Sequence, residues 1–433
     1  MNKKLISFIA SSLLICSCSN LDNAKPANAT AFTYFYGGTG NYQATAALEV
    51  ADGFLIAGDS VGGAGYGALI IKTDANGKTQ WRKVIPGATV SSVIATPNGY
   101  LLCGDSIKVD LTQVRVIDQT RTRMRLINLD ANGGIIADKF FGSITKNNDP
   151  ARAEIKGSAV TMDAQNNYIV TSSLSFPNAA GANAYTQVSA HDPSTLAIKW
   201  VKNYDQDKNR DYKNGKSVLI TRSGDIIWPA SSFLGTAVNG VSFLRIPVLS
   251  PDLTFKNAGS FGQNDLGNYY YGSDIKGNGV GFGIIGTFQS STGQNANVFF
   301  LSTDQIGNPN SALFFDGPTS SINQPVADKT TSQVQDQGIT LTTTSDGGFL
   351  LAGYTSTTTD GTWGNGGQDV YLIRLDPFGN MLWNKFLGGS GDEVPSSVIA
   401  TSDGGFLIAG TATLAGQSSI FLMKTNSKGE LKN

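Results

Sequence analysis

"SDGGFLLAG" at Ser345–Gly353 returns as "SDGGFLIAG" at Ser402–Gly410, and Asp52–Gly58 reads "DGFLIAG". Each phrase is a short apolar run between turn residues, the pattern of a strand buried on both faces. Weaker copies stand at Gly99 ("GYLLCG"), Asn167 ("NYIVTS"), Asp225 ("DIIWPA") and Gly281 ("GFGIIG"). Counted from Gly53 through these to Gly348 and Gly405, successive spacings are 46, 68, 58, 56, 67 and 57 residues.

A second element follows each anchor, as in "ALIIKTDANG", "MRLINLDANG" and "VYLIRLDPFG". It reads as a strand running into a turn, with Asp74, Asp130, Asp192, Asp252, Asp304, Asp376 or Asn426 at the turn. Such a side chain accepts hydrogen bonds from turn amides, and a following Gly takes positive φ. A third strand follows in "TQWRKV" and "MLWNKFLGG", and a fourth precedes the next anchor in "SSVIAT". Four strands repeated seven times predict an all-β chain, a seven-bladed β-propeller of four-stranded blades. β-Helix repeats are much shorter, and tandem sandwich repeats run longer.

The two ends of the chain complete the pattern. The last unit stops at "KTNSKGELKN", where its outer strand should begin. "FTYFYGG" at Phe32–Gly38 matches "WNKFLGG" at Trp383–Gly389, an outer strand. Phe32–Tyr36 is therefore expected to complete the last blade and close the ring, removing its open edges.

"LDPFGNMLW", "TDANGKTQW" and "HDPSTLAIKW" resemble the Asp…Gly…Trp repeats of quinoprotein-like propellers. The resemblance implies blade-docking roles for Trp81, Trp200 and Trp383. The "SDGGFLLAG" repeats also resemble those of bacterial secreted propellers. Quinoprotein dehydrogenases pair their cofactor with adjacent cysteines and a calcium site; this chain lacks the cysteine pair, so the enzymatic part of the likeness fails.

The first residues read as a targeting segment. Lys3 and Lys4 precede the apolar run Leu5–Ile15, which is short for a bilayer span. Ile15-Cys16-Ser17-Cys18 resembles the lipobox of bacterial lipoproteins, which implies cleavage before Cys18 and its lipidation. The competing reading is an ordinary secretory signal. Residues 1–17 are then a signal peptide, 18–31 a lipidated tether and 32–433 one propeller domain. The expected place is the bacterial cell envelope, lipid-anchored, with Ser19 favouring the outer membrane.

Composition narrows the chemistry. Lys and Arg total 32 against 33 Asp and Glu, a net charge of −1, which argues against a large nucleic-acid surface. Beyond the targeting segment only Cys103 remains, a small hydrophobe within "GYLLCG". The single histidine, His191, reads as a turn residue, and no phosphate-binding Gly loop of the GxxxxGK[ST] type is present. No catalytic residue and no cofactor is assigned. Calcium is the one metal considered: Asp205, Asp207, Asn209 and Asp211 alternate like the first ligands of a calcium loop. Arg210 stands where such a loop needs Gly and Lys216 where it needs Glu, so a solvated polar loop competes.

Loops after the anchors should share one rim and carry the aromatics Tyr66, Phe288, Tyr354 and Trp363. Rich in amides and hydroxyls, that rim would suit a glycan or a protein partner, with Trp363 as a stacking platform. Two functions follow: a non-catalytic binding or scaffolding propeller, or a carbohydrate-active hydrolase or lyase using carboxylates at the central channel. A channel lined by Gly, Ser and Thr favours the first. A convergent acidic set favours the second.

Overall fold

The computed structural model describes residues 31–62, 66–106, 109–110, 115–116, 123–142, 154–175, 185–204, 211–234, 241–265, 268–290, 296–317, 335–356 and 366–431. Among these residues every regular element is a β-strand. Antiparallel strands group into units over 41–86, 92–141, 154–204, 211–261, 269–315, 336–387 and 392–425. They are called units 1 to 7 below. Single parallel pairs, Arg123 with Ile155 and Ser242 with Tyr269, tie units 2 to 3 and 4 to 5. Phe32–Tyr36 pairs antiparallel with residues 420–424 as the outer strand of unit 7.

Both faces of the anchor strands are covered, which is why the sequence reads as an unbroken apolar run. In unit 1, Phe54 and Ile56 pack with Leu407, Ile420 and Leu422 of unit 7. The alternate residues Leu55 and Ala57 pack with Val93, Tyr100 and Leu102 of unit 2. The same division recurs: each apolar cluster is shared by two consecutive units, and one joins unit 7 to unit 1. Outer strands are covered on one side only, so Thr79–Pro86 is mostly exposed or half-buried.

The first strands of units 1, 3, 5, 6 and 7 carry a bulge. The register slips between Ala44 and Ala46, Gly157 and Ala159, Gly272 and Asp274, Gly338 and Thr340, and Pro395 and Ser397. The bulge presses a backbone carbonyl onto the anchor strand. At Gly58 and Gly353 any Cβ would collide with the oxygens of Gln43 and Gln337. That collision explains the final Gly of the anchor phrase.

The residue after that Gly tends the bulge amide of the next unit. Asp59 accepts from Val90 N (3.0 Å), Asp105 from Gly157 N (2.9 Å) and Ser231 from Gly272 N (3.1 Å). Thr287 accepts from Gly338 N (3.2 Å) and Thr411 from Ala44 N (3.1 Å). Unit 6 has Tyr354 at this position, and the facing bulge residue is Pro395, which has no N–H to satisfy.

Candidate functional site

The repeated turn carboxylates are fully occupied in local structure. Asp376 Oδ1 accepts from Phe378 N and Asn380 N, both at 2.8 Å, and Oδ2 from Asn380 Nδ2. Asp74, Asp130 and Asp304 each accept two turn amides, and Asn426 Oδ1 does the same from Lys428 N and Glu430 N. Asp192 serves a turn one residue longer, closed by Ala197 O. Asp252 is a correction in register. In unit 4 Ser250 holds the position of Asp74, and Asp252 lies two residues further on, accepting from Ser250 Oγ and Thr254 N. Trp81 lies over Gly133 of unit 2, and Trp383 over Gly429 of unit 7. Trp200 packs against the cluster that joins units 3 and 4.

Of the sequence-derived site residues, Cys18, Asp205, Asp207, Asn209 and Trp363 lie outside the described residues. Asp211 opens the first strand of unit 4. Phe288 is a correction: it does not line a rim but is fully buried, with its ring against Tyr270 and Phe314. It belongs to the strand Phe282–Gln289, which is buried on both faces as far as Phe288, although polar residues flank it. Tyr354 and Tyr66 are half-buried. Cys103 is buried, and burial pushes its thiol up. His191 is buried between Ser189 Oγ (2.8 Å) and Leu196 O (3.3 Å), and burial pushes its pKa down to about 4.

The first strands enclose a cavity of about 450 Å³ lined from every unit, largely by Ser, Thr and aliphatic side chains. Its buried carboxylate, Asp274, accepts from Ser217 Oγ (2.5 Å), Thr340 Oγ1 (2.8 Å) and Leu341 N (3.1 Å). Burial opposes its ionisation, but Lys276 at 3.4 Å and these donors outweigh it and hold the pKa below the usual range. Lys216 crosses the cavity, with Nζ 3.5 Å from Ser396 O of unit 7. Burial lowers its pKa, and Asp274 partly offsets this.

Lys216 also lines a cleft of about 380 Å³ between units 4, 5 and 6. Lys213, Tyr271, Gln289, Gln335 and Gln337 complete its polar wall. The floor is tied across units: Lys216 N donates to Ser273 O (2.7 Å), and Ser273 Oγ to Gly338 O (2.8 Å). Beside it Tyr271 stacks on Tyr269 (6.3 Å, 7° between planes) and lies 5.9 Å from Phe233. Sequence reasoning missed this group. Its signal was "NYYYGSD" at Asn268–Asp274, where alternation buries Tyr270 and leaves Tyr269 and Tyr271 half-buried on the other face.

Titratable carboxylates gather elsewhere. Burial pushes Asp59 up to about 7 and Asp105 up to about 6, against the backbone donors Val90 N and Gly157 N; the Asp105 charge adds to the shift of Asp59. Asp336 is raised to about 7 by burial. Among the described residues no cluster of three or more His, Cys, Asp or Glu side chains is arranged to hold a metal.

No protein-family model and no curated protein matches the chain. Solved structures are similar in outline. Trypanosoma rangeli sialidase is 10% identical, with 82% of this chain and 57% of that one covered at a TM-score of 0.45. This chain thus spans little more than half the sialidase. A protein of unknown function from Bacteroides caccae is 12% identical, covering 75% and 92% at a TM-score of 0.36. A subtype N10 neuraminidase-like protein of influenza A from the little yellow-shouldered bat is 12% identical, covering 78% and 94% at 0.43.

Proposed function

We propose that this chain is a lipid-anchored envelope protein that binds a glycan or protein partner without transforming it. Its scaffold in this reading is a seven-bladed propeller of four-stranded blades, with Phe32–Tyr36 closing the ring and Cys18 lipidated at the outer membrane. The apolar cluster shared by units 7 and 1 supports the closure. One observation carries the binding role. The central cavity and adjoining cleft present hydroxyls, amides and ammonium groups, and their buried carboxylate Asp274 is already saturated. Such a surface orients hydroxyl-rich ligands, and its second carboxylate, Glu49, is already engaged by Ser402 N (2.9 Å) and Ser402 Oγ (2.7 Å). A glycan array probed with the soluble chain from Ser19, with and without calcium, should give saccharide hits that persist as unchanged ligand. Release of a shorter product from any hit would overturn the non-catalytic role.

A second reading, a carbohydrate-active hydrolase or lyase using carboxylates at the central channel, draws on Asp274 and Glu49, which both line the cavity. Loss of turnover in both Asp274→Asn and Glu49→Gln, with the fold intact, would establish it. Palmitate labelling tests the anchor separately. Cys18→Ser should abolish it, and continued labelling through Cys16 would remove the proposed cleavage site.

A further inference from the structure

We infer that the cleft between units 4, 5 and 6 selects an anionic, carboxylate-bearing saccharide; this rests on the glycan-binding reading above. Three features converge. Lys213 and Lys216 both line the cleft, and none of its described lining residues is acidic. Asp274, next in the chain to Ser273 of the cleft floor, is turned to Ser217, Thr340 and Lys276 and is not part of the described lining. The Lys216 ammonium is directed across the central cavity to Ser396 O, so Lys213 supplies the cleft's own ammonium; it favours a carboxylate over a neutral hydroxyl, because charge-assisted hydrogen bonds are the stronger kind.

The rest of the wall matches a sugar ring rather than a simple anion. Gln289 and Gln337 line the cleft with amide side chains of the kind that suit ring hydroxyls. Tyr271, half-buried and braced by Tyr269 and Phe233, presents an aromatic face of the kind that packs against the apolar face of a pyranose. The floor is held in place before any ligand arrives. Gly272 N and Gly338 N are bonded to Ser231 and Thr287, and Lys216 N and Ser273 Oγ span the unit boundaries. Little ordering then remains to be lost on binding.

The test is calorimetric titration of the whole soluble chain with uronic-acid oligosaccharides, their methyl esters and neutral counterparts of the same linkage. The acid forms should bind at least about tenfold more tightly than the esters, the weight of one charge-assisted bond. Lys213→Gln should erase most of that preference, Lys216→Gln should alter it less, and Tyr271→Ala should weaken acid and ester alike by about fivefold. Lys428→Gln, on a turn of unit 7, should change nothing. Equal binding of acid and ester would overturn the charge selection and leave glycan binding standing. Acid binding untouched by Lys213→Gln would overturn the site. Binding of polyglutamate with no saccharide binding would overturn both this inference and the glycan reading.

Discussion

Units 6 and 4 solve the same packing problem with different discipline. Unit 6 keeps four unbroken strands, Asp336–Thr343, Phe349–Ser356, Gln368–Leu375 and Met381–Leu387. Its turn Asp346 grips the buried Arg374 guanidinium through both oxygens, at 2.7 and 2.6 Å. Unit 7 repeats the device with Asp403 and Lys424, and unit 1 with Asp52 and Lys72. In unit 4 the first strand is split into Asp211–Asn214 and Leu219–Ile220, the second into Ile226–Ile227 and Ala230–Leu234. The break falls at Pro229, which cannot donate to a ladder, and Gly215 N answers by bonding Pro229 O. The cleft opens beside that break, with Lys213 and Lys216 on its wall. Where the repeat is kept, polar groups satisfy the scaffold; where it lapses, the cleft that we propose as a binding site opens.

The largest test of the regular side is the seam. Deleting Phe32–Tyr36 should abolish cooperative thermal unfolding, since it strips residues 420–424 of their outer partner and leaves them paired on one side only. Tyr36→Ala alone should cost about 3 kcal/mol in denaturant titration, because Tyr36 is buried and its hydroxyl donates to Gly77 O. A seamless chain that melts like the full one would deny unit 7 its outer strand.

Next comes the ion pair of unit 6. Asp346→Ala leaves the buried Arg374 without its carboxylate and should cost about 2 kcal/mol, less than a fully enclosed pair because Asp346 is half exposed. A bulge test follows. Thr287→Val orphans Gly338 N and should cost about 1 kcal/mol. Tyr354→Phe should be nearly silent on the same measurement, since the facing Pro395 has no amide hydrogen. Equal losses would refute the proposed role of this position.

The smallest effect is a slope. Asp59 in the folded chain is raised to about 7 by burial, so between the unfolded value near 4 and that point the native state holds the extra proton. Its contribution is complete below pH about 4 and declines as pH rises towards about 7. Asp59→Asn, which can still accept from Val90 N, should flatten that part of a melting-temperature profile. An unchanged profile would mean that Asp59 titrates normally.

Reading the chain alone recovers its all-β character and the anchor strands, because each unit must bury the same two faces and writes the same apolar run. It also finds the pairing partner of Phe32–Tyr36, since outer strands share the "FYGG" and "FLGG" ending. It misplaced Asp252 by two residues, because Ser250 closes the turn with the same geometry. It put Phe288 on a rim, because neighbouring polar residues look alike whether the next side chain points in or out.

What the sequence determined by itself is what every unit needs locally: an apolar run with two buried faces, a turn acceptor for stranded amides, and a Gly where the bulge carbonyl intrudes. Only the tertiary structure decided the cleft. Lys213, Tyr271 and Gln337 belong to three units and share no motif; bulges and strand alternation bring them to one wall. A repeat records the requirements common to all its copies, whereas a binding site is assembled from the differences between them.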